Sequence, residues 1–187
     1  SDACVDWHRA AVRAIAQDPE ITTVVVIYRL NMHLLGNDTE SAAPPDAADA
    51  TLWASYLEEV RLLRDAGKTV VAVLPVPELP RPVDQILFRA GPTDAAPAGV
   101  ERAWWQARNG FVQKNKADLG ASSLIVDPTE AFCTGAACLA AIDSEALYFD
   151  SNHPSVAGAR RIADMIFARL SIQATRQPDL VVAVKGG

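Results

Sequence analysis

The chain has 187 residues, of which 50% are hydrophobic and 21% are charged, and its formal net charge is −6. This size predicts one domain, the hydrophobic content excludes a disordered chain, and the acidic balance argues against a nucleic-acid-binding protein. The apolar runs are too short to span a bilayer, and no basic start leads into an apolar stretch. The sequence therefore predicts a single globular domain over residues 1–187, without a membrane span or a signal peptide.

Apolar periodicity predicts helices that alternate with strands along the chain. In chain order, we predict a helix over 6–17, a strand over 21–28, a loop over 36–49, a helix over 51–65, a strand over 69–74, a loop over 75–97, a helix over 99–119, a strand over 123–126, and a closing helix over 154–170 with proline at its first position. The β-branched run over 21–28 indicates a strand buried on both faces, whereas the proline-rich stretch 75–97 should lack regular structure. Strands joined by helices predict a parallel sheet with right-handed crossovers. Residues 171–187 should form a tail or, over 178–184, an edge strand.

The chain contains three cysteines, an odd number. Cys133 and Cys138 enclose a loop short enough to close as a local disulfide, with Gly135 easing the turn. Two buried free thiols are the alternative, and zinc is a poorer interpretation because no second Cys or His pair lies nearby in the sequence. A disulfide would place the domain in a periplasmic or extracellular compartment. Cys4 would then need a partner in sequence that precedes Ser1.

The strongest local signal for chemistry is the pair Asp150 and His153, in the turn before the closing helix. Ligands of parallel sheets bind at the carboxyl ends of the strands, and we predict this turn there, together with residues 29–31, 75–78 and 127–130. A carboxylate so close to an imidazole can accept a hydrogen bond from one ring nitrogen and leave the other nitrogen free to act as a base. In the alternative interpretation, Asp150 caps the helix and His153 is an ordinary turn residue.

The stretch 148–159, Tyr-Phe-Asp-Ser-Asn-His-Pro-Ser-Val-Ala-Gly-Ala, resembles the last block of the SGNH (GDSL-type) hydrolases, in which an Asp-x-x-His motif completes a triad with an upstream serine. More narrowly, the chain resembles the SGNH domain fused to membrane acyltransferases of the acyltransferase-3 family, the bacterial O-acetyltransferases of surface glycans. The matching parts, from Cys4 to Leu170, are Ala3-Cys4 before the first helix, the strand 22–28 ending in Arg29, Val73-Leu-Pro-Val-Pro-Glu78, the cysteines Cys133 and Cys138, Leu147-Tyr-Phe-Asp150 and the closing helix. The resemblance implies a three-layer, flavodoxin-like α/β fold around a parallel central sheet.

The family's nucleophile lies in a Gly-Asp-Ser motif after the first strand, and this motif does not occur in the chain. The resemblance therefore implies that the first strand and the nucleophile segment precede Ser1, and that the same segment supplies a cysteine for Cys4. A domain that has lost its nucleophile is the alternative. Ser151 and Ser155 lie too close to His153 in sequence to use it as their base, and capping explains the other serines.

The resemblance also implies an oxyanion-hole asparagine directly after a strand. Asn31 stands where that residue falls, with Arg29 in place of the family's glycine. The string Gly36-Asn37-Asp38 spells the motif better but lies several residues beyond the strand. Because an oxyanion donor must be held rigidly, we favour Asn31 over this string, with a polar turn residue as the alternative. Arg29 would bind an acceptor's carboxylate or pair with an acidic neighbour, and His33 is a more distant candidate.

By resemblance, Asp150 and His153 are the catalytic residues of an acyl-transfer module that moves an acetyl group to a bacterial cell-envelope carbohydrate. The donor would arrive through a membrane acyltransferase domain of the full-length protein, so the chain would be the periplasmic domain of an inner-membrane protein. The resemblance implies no cofactor and no metal in this domain. A plain esterase and a non-catalytic glycan-binding or scaffold module are the alternatives. If Trp104 or Trp105 is exposed it would stack on a sugar, although core packing is the simpler interpretation.

Overall fold

A computed structural model describes residues 2–36, 50–91 and 96–176 of the chain. The elements in chain order are α1 (Asp2–Gln17), β1 (Thr23–Ile27), α2 (Leu30–Leu35), α3 (Ala50–Asp65), β2 (Thr69–Val73), α4 (Val83–Ala90), β3 (Ala98–Glu101), α5 (Arg102–Arg108), α6 (Gly110–Asn115), a 3₁₀ helix (Lys116–Leu119), β4 (Leu124–Val126), α7 (Thr129–Phe132), β5 (Cys133–Thr134), β6 (Ala137–Leu139), β7 (Ala141–Ile142), β8 (Glu145–Ala146) and α8 (Val156–Arg176). None of the helices in these ranges is long and apolar enough to cross a membrane. Nearly all of the predicted loop over 36–49 and the predicted edge strand over 178–184 lie outside the described residues.

The central sheet consists of three parallel strands in the order β1-β2-β4. The middle strand, β2, is fully buried from Val70 to Val73, since it has a neighbour on each side and packed residues on both faces. The amphipathic helix α3 covers one face with its buried residues, which are Trp53, Tyr56, Leu57, Val60 and Leu63. The predicted α/β fold with a parallel central sheet is therefore confirmed.

The two faces of β1 differ in burial. Val26 is buried in the cluster that includes the apolar face of α3, whereas Val25 and Ile27 on the other face are 42% and 49% exposed. The prediction of a strand buried on both faces is wrong for β1. It lies at the edge of the described sheet, where the described elements leave one face accessible to solvent.

The predicted helix over 99–119 is several elements rather than one. Its first residues belong to β3, which pairs antiparallel with β6, as in the pair Val100 and Cys138. α5 then ends at Arg108, the φ of −88° and ψ of 4° at Asn109 depart from the helical values, and α6 starts at Gly110. Asn and Gly are weak helix formers, and a strand pairing with a partner 38 positions later leaves no local pattern.

The stretch 75–97 contains a helix, α4, where the sequence predicts none. Prolines flank this helix instead of interrupting it, since Pro82 directly precedes its first residue and no proline lies between Val83 and Gly91. A proline is tolerated at the start of a helix, because the first N–H groups of a helix have no intrahelical partner. The high proline content of the segment was therefore a poor guide to its structure.

Short antiparallel strands form a second sheet in the order β3-β6-β5. Cys133 and Cys138 lie directly opposite each other in the hairpin of β5 and β6 and are joined by a disulfide. Gly135 turns this hairpin with a φ of 55°, in the left-handed region that favours glycine. Cys4 on α1 is a free and exposed thiol.

The closing helix starts and ends later than predicted. α8 begins at Val156 instead of Pro154, because Ser155 is the cap and its Oγ accepts a hydrogen bond from the N–H of Gly158 at 3.2 Å. Residues 171–176, expected in a tail or edge strand, continue the helix. A Cβ at Gly158 would overlap the carbonyl oxygen of Leu147, so only glycine lets the first turn of α8 approach this closely.

Candidate active site

The turn over 148–154 is a tight antiparallel hairpin with two exposed side chains. Tyr148 and Pro154 form an antiparallel bridge, and the N–H of Phe149 donates to the carbonyl oxygen of His153 at 2.7 Å. Tyr148 is buried, whereas Phe149 and His153 are exposed. Successive residues of an extended segment point to opposite faces, so the hairpin buries Tyr148 and presents Phe149 and His153 to solvent.

Asp150 holds the imidazole of His153 from within the hairpin. Nδ1 of His153 lies 2.6 Å from Oδ2 of Asp150, while Oδ1 accepts the backbone N–H groups of Asn152 and His153, each at 2.8 Å. Burial by itself raises the pKa of Asp150, but these two N–H groups and the His153 side chain outweigh it and lower the pKa to about 2. Asp150 is thus ionised at neutral pH and fixes Nδ1 as the protonated nitrogen. In this tautomer Nε2 is the nitrogen that can accept a proton.

Two backbone hydrogen bonds join the hairpin to the segment that follows β2. The N–H of Leu79 donates to the carbonyl oxygen of Ser151 at 2.7 Å, and the N–H of Val83 donates to that of Asp150 at 3.1 Å. Leu79 is fully buried in the hydrophobic core. These bonds place the Asp150–His153 pair beyond the carboxyl end of β2, at the edge of the sheet where ligands of parallel sheets bind.

Two arginines converge on the buried carboxylate of Glu78, next to Leu79. Oε1 of Glu78 accepts from Nε of Arg29 at 2.9 Å, and Oε2 accepts from Nε of Arg108. The side chains of Glu78 and Arg108 are 2% and 0% exposed, whereas that of Arg29 is 27% exposed. Of the two roles considered for Arg29, the structure therefore shows the pairing with an acidic neighbour. The ion pair between Arg29 and Glu78 links the end of β1 to the segment after β2.

Asn31 is buried near the start of α2, two residues beyond Arg29. It is 1% exposed, and its Nδ2 donates to Oδ1 of Asn109 at 3.4 Å. Asn109 is equally buried, and its own Nδ2 has no hydrogen-bond partner among the described residues. The amide of Asn31 is therefore fixed at the carboxyl end of β1. Asn37, the other candidate for the oxyanion hole, lies outside the described residues.

The serines near His153 in sequence direct their hydroxyls elsewhere. Oγ of Ser151 accepts from Nδ2 of Asn152 at 3.0 Å, and Oγ of Ser155 donates to the carbonyl oxygen of Ala146 at 2.5 Å. Two further hydroxyls donate to backbone carbonyls, that of Ser55 to Thr51 and that of Ser123 to Leu119. Within the described ranges, no serine hydroxyl is hydrogen-bonded to the imidazole of His153.

The other two histidines lie on α1 and α2. His33 is exposed in the last turn of α2. His8 lies on α1 with its Nε2 2.9 Å from Oε2 of Glu59 on α3. The hydroxyl of Tyr28 donates to Oε1 of the same carboxylate at 2.8 Å. This cluster joins α1, the end of β1 and α3, and it has a structural role.

Arg108 and Asn109 are the site residues that the sequence interpretation missed. They follow the buried Trp105 by three and four positions, so all three lie on one face of α5. A charged and a polar residue at this spacing from a core tryptophan is the local signal that could have found them. The partner of Arg108, Glu78, is 30 positions away and could not be identified from spacing.

The described residues of the site are arranged for proton transfer. His153 can take a proton at Nε2 and return it to a leaving group, while Asp150 stabilises the imidazolium. The buried amide of Asn31 is held by Asn109 at the carboxyl end of β1. Within residues 2–36, 50–91 and 96–176, no three His, Cys, Asp or Glu side chains lie together in a way that could hold a metal ion.

Comparisons with known proteins agree with this fold. The chain is similar to the periplasmic domain of the lipopolysaccharide acetyltransferase of Salmonella ser. Paratyphi A, with a TM-score of 0.63 at 12% sequence identity. The similarity covers 87% of this chain and 61% of that one, so this chain spans less than two thirds of its structural neighbour. No curated protein sequence matches the chain significantly. The model of the family described as "SGNH domain (fused to AT3 domains)" matches residues 1–168, and the chain therefore belongs to that family.

Proposed function

We propose that this chain is the acyl-transfer domain of a bacterial O-acetyltransferase that acetylates a carbohydrate of the cell envelope. The observation that carries the proposal is the Asp150–His153 pair, which is held at 2.6 Å on a pinned hairpin at the carboxyl edge of the sheet. Membership of a family fused to AT3 domains supports a membrane acyltransferase domain as the source of the acyl group. The neighbour from a periplasmic lipopolysaccharide acetyltransferase supports a periplasmic location and a glycan acceptor.

In the proposed reaction, a serine hydroxyl attacks the carbonyl carbon of the acyl donor while Nε2 of His153 takes its proton. The imidazolium returns that proton to the leaving group, which gives an acyl-serine intermediate. In the second half, Nε2 takes a proton from the acceptor's hydroxyl, which attacks the acyl-serine. Asp150 holds the imidazole in one tautomer, and the Asn31 amide donates to the oxyanion of both tetrahedral intermediates. The reaction requires no cofactor in this domain.

The serine of this mechanism would lie in sequence that precedes residue 1, on a further parallel strand beside β1. Among the described residues no strand pairs with the outer edge of β1, and the side chains of Val25 and Ile27 are exposed, which supports this, since an added strand and its helix would cover them. A parallel strand there would end beside Arg29 and Asn31, at the edge that holds the hairpin. The exposed thiol of Cys4 is available for a cysteine in the same segment.

Ester hydrolysis by the same residues is the second candidate. The His153 side chain is 69% exposed, and this exposure favours access of water to the base. A transferase must exclude water from the acyl-serine until the acceptor is bound, whereas an esterase admits it. The catalytic residues are identical in both cases, so only the fate of the acyl group distinguishes the two activities.

The experiment compares this chain with the natural longer protein on p-nitrophenyl acetate. We expect the 187-residue chain to be nearly inactive and the longer protein to turn over the ester. In the longer protein, His153→Ala and Asp150→Asn should each lower kcat by about 10⁴-fold or more. Asp143→Asn is the matched control, because Asp143 is exposed in the turn between β7 and β8 with a φ of 50°, which asparagine tolerates.

Adding methyl hexopyranosides to the same assay separates transfer from hydrolysis. A transferase yields acetylated sugar by mass spectrometry, and an esterase yields only acetate. Turnover by the 187-residue chain that depends on His153 would show that its nucleophile lies within the chain. A longer protein that binds glycan without any turnover would favour the non-catalytic module.

A further inference from the structure

Phe149 is 83% exposed on the same hairpin as the catalytic pair. Exposing a phenylalanine ring to water has a free-energy cost that is proportional to the exposed apolar area. Phe149 directly precedes Asp150 in the sequence. The two apolar residues that precede Phe149, Leu147 and Tyr148, are buried at 0% and 2% exposure. The hairpin that carries His153, the proposed base, therefore also presents the aromatic ring of Phe149 to solvent.

The hairpin register places Phe149 opposite His153. Tyr148 pairs with Pro154 in the antiparallel bridge, so the next residues inward, Phe149 and His153, are directly opposite each other. The hydrogen bond from Phe149 N to His153 O at 2.7 Å belongs to this pair. Opposite residues of an antiparallel pair project their side chains from the same face, with Cβ atoms about 5 Å apart.

The backbone that carries the ring is fixed on both sides. Besides the bridge, the carbonyl oxygens of Asp150 and Ser151 accept hydrogen bonds from Val83 and Leu79, and Tyr148 is buried against Phe132. Only the χ angles of Phe149 remain to be ordered when a ligand binds. Because its backbone is already fixed, Phe149 loses little conformational entropy when a ligand binds to its ring.

We propose that Phe149 is the platform on which a pyranose ring of the acceptor stacks, with the reacting hydroxyl directed to Nε2 of His153. This inference rests on the proposed function, which makes a carbohydrate the acceptor. The C–H bonds on the apolar face of a pyranose carry partial positive charge, and the face of an aromatic ring is negative. Phe149 is therefore a specificity-determining residue that aligns the acceptor with the base.

The tryptophans of α5 do not provide this surface. Trp105 is 1% exposed, and its Nε1 donates to Oγ1 of Thr129 at 2.9 Å. Trp104 is only partly exposed and packs against the core, and the guanidinium carbon of Arg108 lies 5.8 Å from its ring centre. Of the aromatic residues considered for a sugar, Phe149 is the one on the hairpin that carries the base.

The test is a binding titration, which does not require turnover. The 187-residue chain, with ¹³C in its phenylalanine rings, is titrated with methyl glucopyranoside, methyl galactopyranoside and methyl mannopyranoside, and with ethyl acetate as a mimic of the acyl side. We expect at least one sugar to shift the ring resonances of Phe149 in a saturable way, with little effect of ethyl acetate. Phe149→Ala and Phe149→Leu should weaken that binding roughly three- to tenfold, and Phe149→Tyr should preserve it.

Phe167→Ala is the matched control. Phe167 is 66% exposed on α8, eleven residues after its first residue and about 16 Å along the helix axis, so its loss should leave sugar binding unchanged. Sugar binding that survives Phe149→Ala, the absence of any shift at Phe149, or a shift caused by ethyl acetate alone would overturn the inference. The proposed function is judged by ester turnover instead, so its failure and the failure of this inference give different results.

Discussion

Replacing Glu78 by glutamine removes the negative charge shared by two guanidinium groups and keeps the size of the side chain. Arg108 is the more sensitive partner, because its side chain is 0% exposed and water cannot replace the lost carboxylate. Removing one partner of a buried ion pair costs about 3–5 kcal/mol. Arg29 is 27% exposed and retains part of its hydration. The destabilisation that comes from losing its ion pair with Glu78 should therefore be close to that of a surface ion pair, about 0.2–1 kcal/mol. We therefore expect Glu78→Gln to destabilise the chain by about 3–5 kcal/mol, chiefly through Arg108.

This loss is large against the stability of ordinary domains, which is about 5–15 kcal/mol. Urea unfolding should show it as a lower midpoint with an unchanged slope, and thermal unfolding as a decrease in Tm of roughly 6–20 °C. The cost should be nearly the same at low and high salt, because buried charges are poorly screened. Glu58→Gln is the matched control: Glu58 is exposed on α3, and its replacement should stay within about 0.5 kcal/mol.

A second variant distinguishes the loss of the Glu78 charge from a simple loss of packing. Combining Glu78→Leu with Arg108→Met replaces the buried pair by apolar side chains of similar volume, and such exchanges are often neutral or stabilising. We expect this double variant to be more stable than Glu78→Gln alone. A loss below about 1 kcal/mol for Glu78→Gln, or a double variant that is less stable than the single one, would refute this account of the cluster.

Two further predictions concern the disulfide and the catalytic pair. Reduction of the bond between Cys133 and Cys138, which are five positions apart, should cost about 2 kcal/mol on the chain-entropy scale, and thiol titration of the unfolded, unreduced chain should find only Cys4. Three reactive thiols in protein from an oxidising compartment would contradict it. The carboxyl ¹³C signal of Asp150 should titrate near pH 2, so the pair stabilises the fold above the unfolded pKa of about 3.9 and this contribution is lost as the pH falls through about 2. A midpoint near 4 would show that the backbone N–H groups of the hairpin and the His153 side chain do not hold the carboxylate in solution.

Local pattern was sufficient where an element's own residues determine it. The apolar face of α3 and the buried run of β2 are periodic or continuous within a few residues, and both formed as predicted. Long-range pairing decided the elements that were wrong. The first residues of the predicted helix over 99–119 became β3 by pairing with β6, and the exposure of β1 depends on which strand lies beside it. Neither partner can be read from the segment itself.

The same division applies to the candidate site. Asp150 and His153 are three positions apart, and a turn of that length lets the two side chains meet without help from the rest of the fold. The contacts of Glu78 span 49 positions to Arg29 and 30 positions to Arg108, and their chemistry emerges only when β1, β2 and α5 are packed together. A polar residue on a buried helix face was the one local signal of this cluster.

The short segment after β2 fixes the position of the Asp150–His153 hairpin relative to the end of β1. Glu78 binds Arg29 at the end of β1, and the next residue, Leu79, is hydrogen-bonded to the hairpin that carries the base. Pro80 and Pro82 follow, and each fixes its own φ, so the backbone at this junction has little freedom. A nucleophile on a strand beside β1, as proposed, would reach Nε2 only if this junction keeps the hairpin at a fixed distance from the strand end. The Asp-x-x-His spacing therefore lets Asp150 orient His153 as a base. The contacts of Glu78 and Leu79 position that base for the proposed acyl transfer.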